Sequence, residues 1–547
     1  TRADDIADRT RSRNVIADHV DRRQRYDRLA GTAMGLQVKA LAGSTFRLFP
    51  GSLFLVLLAS LGPGGGGCSS PDPGDILDAP PRTIVLISVD TLRADHLGLY
   101  GHPRFTSPIL DAFGAEGVVF EDVSATTAWT LPSHASMLTG LFPLRHGVMT
   151  AKTGLSDEVR TLAGWFSREG WDTAAVVNVL WLKRERYGLT REFAKYLSVE
   201  DPDYGRRGPS TWATDQAMEW IGEQGERPLF LFIHYYDVHA DYASLPEYER
   251  LLVGPYEGPA DGTAWQIERA NFADAHVEYC LRKFDPEQCE FGSAEKARRI
   301  DSEMERIDFD ASDVRHLEEL YDAGIRQLDN EIGRLLAFLD ARNRAKDSLV
   351  VITSDHGEEF MEHGHLAHFL TTYQQSLRVP LLMRGPGVPA GLRLDTPVSL
   401  VDLLPTLLGL AGLPPPTDID GLDVSALWGE SETGAFSGRY LYGEASGGVQ
   451  QATGLPGIYP IFRSVRKGRF KLIQQSLGGA VEYALFDLEQ DPAEQSDVAS
   501  LHAEVVAELR GELVRRHAAG ADAGPKGSEV ELDESEVEQL RALGYAP

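Results

Sequence analysis

From residue 82 onward, short apolar runs alternate with amphipathic stretches, and this alternation restricts the fold more than any other feature of the chain. "RTIVLISVD" (82–90), "GVVFEDVSA" (117–125), "DTAAVVNV" (172–179), "RPLFLFIHYYDVH" (227–239) and "DSLVVITSDHG" (347–357) each read as a strand. Between the last two, Leu317, Leu320, Tyr321, Ile325, Leu328, Ile332, Leu335 and Leu339 recur at spacings of three and four, which predicts a long helix. Strands alternating with helices predict an α/β fold around a mostly parallel sheet.

After "RVPLLMRGPG" (378–387) the pattern changes. "FRSVRKGRFKLIQQSLGGAVEYALFDLEQDP" reads as short strands turned at Lys467-Gly468 and Gly478-Gly479, an antiparallel meander in a smaller subdomain. "DESEVEQLRALGYAP" reads as a terminal helix and tail. Residues 241–312 are polar, mixed in charge and out of rhythm, and read as an insertion over one edge. They carry Cys280 and Cys289, for which a disulfide and two unpaired thiols both stay open. The expected division is an α/β domain over 82–435, with the insertion inside it, and a C-terminal subdomain with terminal helix over 436–547.

The first 81 residues read as lying outside the fold. Residues 1–33 precede the first plausible start, Met34, and read as an upstream extension. Lys39 and Arg47 then precede an apolar run, Leu53 to Leu61, shorter than the ~20 residues that span a bilayer. A charged start, a short apolar run, glycines and Cys68 resemble a bacterial lipoprotein signal over 34–68, with 69–81 as tether. Gly65 stands where such signals usually carry leucine, so a plain cleaved signal or an uncleaved anchor is the alternative. The expectation is export to the periplasm or cell envelope, lipid-anchored at Cys68.

In open α/β sheets, ligands bind beyond the carboxyl ends of strands. Asp90 and the Asp355-His356 pair stand where apolar runs stop. Two carboxylates and an imidazole make a candidate site for one divalent ion, Ca²⁺, Mg²⁺, Mn²⁺ or Zn²⁺. In "AWTLPSHASMLTG" (128–140), Pro132 favours a first helical turn, so Thr130 lies at or beside a helix N-terminus. Backbone N–H groups and the helix dipole stabilise an anion there. A hydroxyl so placed and bound to a metal can attack phosphorus or sulfur. On this stretch alone an ordinary N-cap is the favoured reading. With 82 acidic against 53 basic side chains, a formal charge of −29, the chain is not built to bind nucleic acid. A small anionic ester, or an envelope glycan or lipid carrying one, remains open as a substrate if a metal neutralises it locally.

These motifs stand in an order that resembles the sulfatase branch of the alkaline phosphatase superfamily, across about 82–490. "SVDTLRADHLGLYG" resembles that family's first metal motif, and "TLPSHASMLTG" its nucleophile signature. "HYYDVHADY" resembles the segment bearing an active-site histidine, and "SDHGEEFMEHGHLAHFLTTYQQSLRVPLLMRGPG" the second metal motif with its loop. "RKGRFKLI" and "YALFDLEQDPAEQSD" resemble its C-terminal subdomain. The resemblance implies an alkaline phosphatase-like fold with Asp90, Thr130, Asp355 and His356 as metal ligands and Thr130 as nucleophile. It puts His134 in place of an arginine that supports the nucleophile. His239 matches a histidine that contacts the transferred group or protonates the leaving group. His368 lies near a leaving-group lysine position, with His365 as its competitor. Two departures stand out: threonine cannot be converted to formylglycine, so none is expected, and Thr91 replaces a second metal-binding aspartate. Related superfamily members with a plain threonine act on phosphate diesters. The implied activity is metal-dependent hydrolysis of sulfate or phosphate (di)esters. An envelope phospho-group transferase and a catalytically retired glycan- or anion-binding protein are the alternatives.

Overall fold

The computed structural model describes residues 79–182, 187–198, 209–264, 266–267, 270, 307–368, 370–429, 433–445, 461–477, 479–520 and 527–530. The leader, Cys68, Cys280, Cys289 and the terminal helix expected after 531 lie outside them. Eight strands form the main sheet: β1 Thr83–Val89, β2 Val118–Phe120, β3 Asp172–Val177, β4 Lys195–Ser198, β5 Leu229–Tyr235, β6 Ser348–Ser354, β7 Leu381–Arg384 and β8 Leu392–Leu394. Their spatial order is β8-β2-β7-β6-β1-β5-β3-β4. β1, β3, β4, β5 and β6 run parallel, whereas β7 is antiparallel to β6 and β2.

Every residue of β1, β5 and β6 is buried, as expected for parallel strands covered on both faces. On one face, Ile84, Leu86, Phe230, Phe232, Leu349 and Val351 pack towards α2 (Thr130–Thr139) and α6 (Leu403–Leu410). On the other, Val85, Ile87, Leu231, Ile233, Val350 and Ile352 pack towards α4 (Pro209–Gly222) and α5 (Ala311–Ala341). The helix predicted between the last two runs is α5, and all eight apolar residues that predicted it are buried. Asp310 and Asp313 close its N-terminus in a reciprocal capping box.

The run 117–125 is not one strand. β2 ends at Phe120, and Val123–Ser124 pairs with Val398–Ser399 in a separate ladder. The acids between them explain the break: Asp122 forms an ion pair with Arg466, and Glu121 pairs with Arg393.

Beyond these, β9 (Tyr440–Ala445), β10 (Ile461–Lys467), β11 (Phe470–Leu477) and β12 (Ala480–Asp487) form the antiparallel meander. Gly468 and Gly479 take φ of 57° and 90° at its hairpins, a region glycine enters without steric cost. α7 (Ala503–Gly520) lays Leu509 and Leu513 on Val465, Leu472 and Leu485. Of the expected insertion, the described part includes a helix, Pro246–Leu252, and Tyr242, which is buried against Tyr321 and Phe360. No helix among the described residues is long and apolar enough to cross a membrane.

Candidate active site

β1, β5 and β6 end level with one another, with Val89 opposite both Tyr235 and Ser354. Side chains alternate between faces along a strand. Ser88, His234 and Thr353 are opposite one another in register, so they share the face that carries α2. Asp90 and Asp355 lie just beyond these strand ends, and the N-terminus of α2 meets them there. Ser133 Oγ of α2 donates to the Asp355 carbonyl at 2.6 Å.

Asp90, Asp355 and His356 converge, with ligand atoms all within 4.8 Å of one another, and all three are fully buried. His356 Nε2 lies 3.4 Å from Asp355 Oδ2 and 3.7 Å from Asp90 Oδ1. Its Nδ1–H donates to the Gly357 carbonyl at 3.0 Å, so Nε2 presents a lone pair to the two carboxylates. Asp90 Oδ1 and Asp355 Oδ2 have no hydrogen-bond partner. Lone pairs and unpartnered carboxylate oxygens facing one another in a buried space repel unless a cation sits among them. The donor set therefore fits a divalent ion. Burial pushes both aspartates above the usual carboxylate range, and Asp90 raises Asp355 further.

Thr130 faces this group. Its Oγ1 lies 3.5 Å from Asp90 Oδ2 and 3.4 Å from His356 Nε2. Trp129, not Thr130, holds the N-cap position, so the cap reading of Thr130 drops out. Thr91 has φ of 59°, a strained conformation for a β-branched residue. Its N–H reaches Asp355 Oδ1 at 3.3 Å, and Tyr321 Oη donates to its carbonyl at 2.7 Å. The strain is thus held by contacts that orient Asp355.

The histidines divide into two groups. His239 is stacked on Tyr236, with ring centroids 4.3 Å apart, and meets the edge of His368 at 4.9 Å. His368 lies 4.4 Å from the His356 ring, and its Nδ1 contacts Glu358 Oε1 at 2.8 Å. Burial pushes both histidines below their ordinary range and Glu358 well above its own. Of the two competitors on the loop, His368 stands against the centre; His365 is half-buried and contributes its carbonyl to a backbone bond with Met361.

His134 lies below Thr130. Its Nδ1 donates to the Thr130 carbonyl at 2.8 Å and lies 3.5 Å from Asp355 Oδ2, while Nε2 faces Ser88 Oγ at 3.0 Å. Burial pushes its pKa down to about 4, so it is neutral where an arginine would be charged. His234 lies beside it, with ring centroids 5.1 Å apart. His234 Nδ1 donates to Asn178 Oδ1 at 2.9 Å, and its Nε2 stands 3.3 Å from Asp90 Oδ2. Sequence reasoning missed His234, Ser88, Asn178 and Glu358. A signal existed for His234: it is the one polar residue within β5, "LFLFIHY" apart from the terminal tyrosine hydroxyl. Asn178, at the end of β3, gave none.

Thr130 Oγ1, beside the acid cluster, could attack a tetrahedral anionic ester, with imidazoles at hand for the leaving oxygen. A family model described as Sulfatase matches residues 82–413, and one described as N-sulphoglucosamine sulphohydrolase, C-terminal, matches 361–519. Arylsulfatase K of Mus musculus is 25% identical over 461 residues, covering 79% of this chain and 78% of that protein. The ulvan-active sulfatase of Formosa agariphila is 26% identical over 432 residues, covering 76% of each. Among solved structures, a protein bound to its substrate D-glucosamine-2-N,6-O-disulfate superposes with a TM-score of 0.62 at 19% identity, covering 82% of this chain and all of that one. Phosphonate monoester hydrolase of Agrobacterium radiobacter gives 0.60 at 23%, covering 83% of this chain and all of that one.

Proposed function

The chain belongs to the sulfatase family and is a hydrolase of that family, and on that footing we propose that it cleaves sulfate esters or phosphate (di)esters with Thr130, unmodified, as its nucleophile. The observation that carries the reading is the Thr130 hydroxyl at the start of α2, 3.5 Å from Asp90 and 3.4 Å from His356. Asp90, Asp355, His356 and Thr130 would hold a divalent cation, which supplies positive charge that polarises the ester and lowers the pKa of a nearby hydroxyl. The Thr130 oxygen, its proton lost, attacks sulfur or phosphorus in line, forming a threonyl ester as the bond to the leaving oxygen breaks. His239 or His368 passes to that oxygen the proton given up by Thr130, and water then cleaves the threonyl ester, one of its protons returning to the threonine oxygen. The α2 N-terminus favours the negative charge gathering at the attacked centre.

The substrate class we infer is a sulfated or phosphorylated glycan or a small anionic ester. A curated relative described as ulvan-active supports the glycan arm, and the threonine supports phosphate. We also place the protein in the cell envelope, anchored through Cys68. Cys68→Ser should move it from the membrane fraction to the soluble fraction; a wild type soluble without detergent would remove the anchor.

The test of the nucleophile is mass spectrometry of enzyme quenched during turnover of aryl sulfate and phosphodiester probes. A sulfo or phospho adduct on Thr130 is expected, and its mass tells the two chemistries apart. An adduct on another residue would exclude Thr130.

A further inference from the structure

Two consecutive acids, Glu358 and Glu359, are buried just after His356, and the chemistry described above uses neither. A carboxylate is costly to bury, so each calls for a partner. Glu359 is accounted for by its loop. Its Oε1 accepts from Thr371 Oγ1 and from Ser376 Oγ, which ties down the segment that follows. Glu358 has a different neighbour. Glu359–Phe360 and Leu366–Ala367 form a short antiparallel ladder that pairs Phe360 with Leu366 and Glu359 with Ala367. The same register, carried one step further, sets Glu358 opposite His368. The two side chains meet there, His368 Nδ1 lying 2.8 Å from Glu358 Oε1, and both residues are buried. Met361, just after the first strand, and Ala367, in the second, have φ of 67° and 63°, a conformation that non-glycine residues keep only where their surroundings hold them.

A carboxylate held on one nitrogen of a histidine fixes the ring and its tautomer and leaves the other nitrogen to exchange protons. We propose that Glu358 is the positioning residue for proton transfer at this centre: it holds His368 by Nδ1, so that His368 Nε2, and not His239, delivers the proton to the leaving oxygen. The proposal rests on the reading of Thr130 as nucleophile and deepens it. His368 stands beside that exchange. Its ring lies 4.4 Å from that of His356, whose Nε2 is 3.4 Å from Thr130 Oγ1. The proton balance closes on the pair. Nε2 takes up the proton that Thr130 Oγ1 loses as its bond to sulfur or phosphorus forms, and gives it to the leaving oxygen as that oxygen's bond breaks. The Glu358 carboxylate balances the imidazolium in between.

His239 is held differently. Its Nδ1–H donates to the carbonyl of Ala240, and its Nε2 lies 3.3 Å from the hydroxyl of Tyr236, the ring on which it is stacked. A neutral carbonyl behind the ring favours the imidazolium less than a carboxylate does. The ring built to hold a proton between two oxygens is therefore His368. The resemblance puts a lysine near position 368 in the family. A lysine carries its proton with no tautomer to fix; a histidine in its place needs one ring nitrogen occupied, and Glu358 occupies it.

The experiment compares kcat for phenyl and para-nitrophenyl esters, run as aryl sulfates and as aryl phosphodiesters, on the full chain with its fold checked by circular dichroism. Phenolate is the poorer leaving group and depends more on a delivered proton. Glu358→Gln should lose roughly 10-fold more on the phenyl ester than on the para-nitrophenyl ester, with KM little changed. His368→Ala should show the same selective loss, and the double variant should be no worse than His368→Ala, because the two act as a unit. An equal loss on both esters, or losses that add in the double variant, would overturn the proposal. A selective loss in His239→Ala with none in His368→Ala would overturn it too. If Glu358→Gln does not fold, magnetic resonance of wild type carrying isotope-labelled histidine decides: a downfield ring N–H resonance that disappears in His368→Ala is expected, and its absence overturns the pairing. The underlying reading is tested apart. Thr130→Ala at the wild-type rate, or a wild type that turns over neither ester series, overturns that reading and the proposal with it. An inactive Thr130→Ala beside an unselective Glu358→Gln overturns the proposal alone.

Discussion

At the scale of single residues, Thr130 separates stability from chemistry. It is the first residue of α2, and Trp129 holds the cap position without a side-chain capping bond. Thr130→Ala should therefore melt close to the wild type while losing several orders of magnitude in rate, on the order of 5 kcal/mol or more in barrier. Thr130→Ser keeps a hydroxyl and should retain part of the rate. Turnover of Thr130→Ala at the wild-type rate would exclude covalent catalysis by this residue. His146 is the residue whose titration should be read in the melting temperature. Burial pushes its pKa down to about 3. Its Nδ1 accepts from the Val148 N–H and its Nε2–H donates to Ser136 Oγ, both at 3.1 Å, so the neutral form is built in. The unfolded chain takes up a proton near pH 6.5, and the folded chain resists it. The stability it contributes is full above about 6.5 and is lost as pH falls towards 3, at most on the order of 4 kcal/mol. Melts of His146→Leu and wild type from pH 7.5 to 4 should therefore converge as pH falls. A gap independent of pH would sink the assignment.

At the scale of elements, the loop after β6 shows how tightly the site is held. A Cβ on Gly357 would meet the Gln375 carbonyl oxygen at 2.0 Å, and the Gly357 N–H donates to the Ser376 carbonyl at 2.8 Å. Gly357→Ala should push this loop off its neighbour and carry His356 with it. A loss of roughly 1–3 kcal/mol in stability is expected, with weaker cation binding measured by chelator competition. Unchanged melting and affinity would show that the loop yields. The elements themselves were legible where a period was clean. Asp172–Val177, Leu229–Tyr235 and Ser348–Ser354 fall inside the predicted runs, as do all eight core residues of α5. The break at Glu121-Asp122 was not legible, because the arginines that draw those acids out of the strand lie at 393 and 466. Strand order, and the reversal of β7, were not legible either, since periodicity says which face is buried and not which neighbour buries it.

At the scale of the molecule, the candidate site was half legible. Residues that end an apolar run, Asp90 and Asp355-His356, announce themselves. His234 hides inside a run, and its meaning depends on lying opposite Ser88 of another strand. The buried acids also bear on the whole fold. Burial raises Asp90 and Asp355 above the usual carboxylate range, and Asp90 adds to the rise of Asp355. Chelation should therefore lower the melting temperature as well as abolish activity, whereas Asp355→Asn should lose activity but show a smaller response to chelator. A melting temperature indifferent to chelator and metal, with full turnover, would remove the cation from the centre.

The level strand ends described above have a kinetic side. The candidate ligands Asp90 and Asp355-His356 follow β1 and β6, and Thr130 opens α2, so no local stretch of the unfolded chain can assemble them. A parallel sheet of such distant strands forms slowly, because long loops must close before its contacts return anything. An ion that binds only the finished sheet cannot speed that step; it acts on the way out, holding the native state and slowing unfolding. Chains made with or without metal should thus refold at similar rates and differ in how long they stay folded.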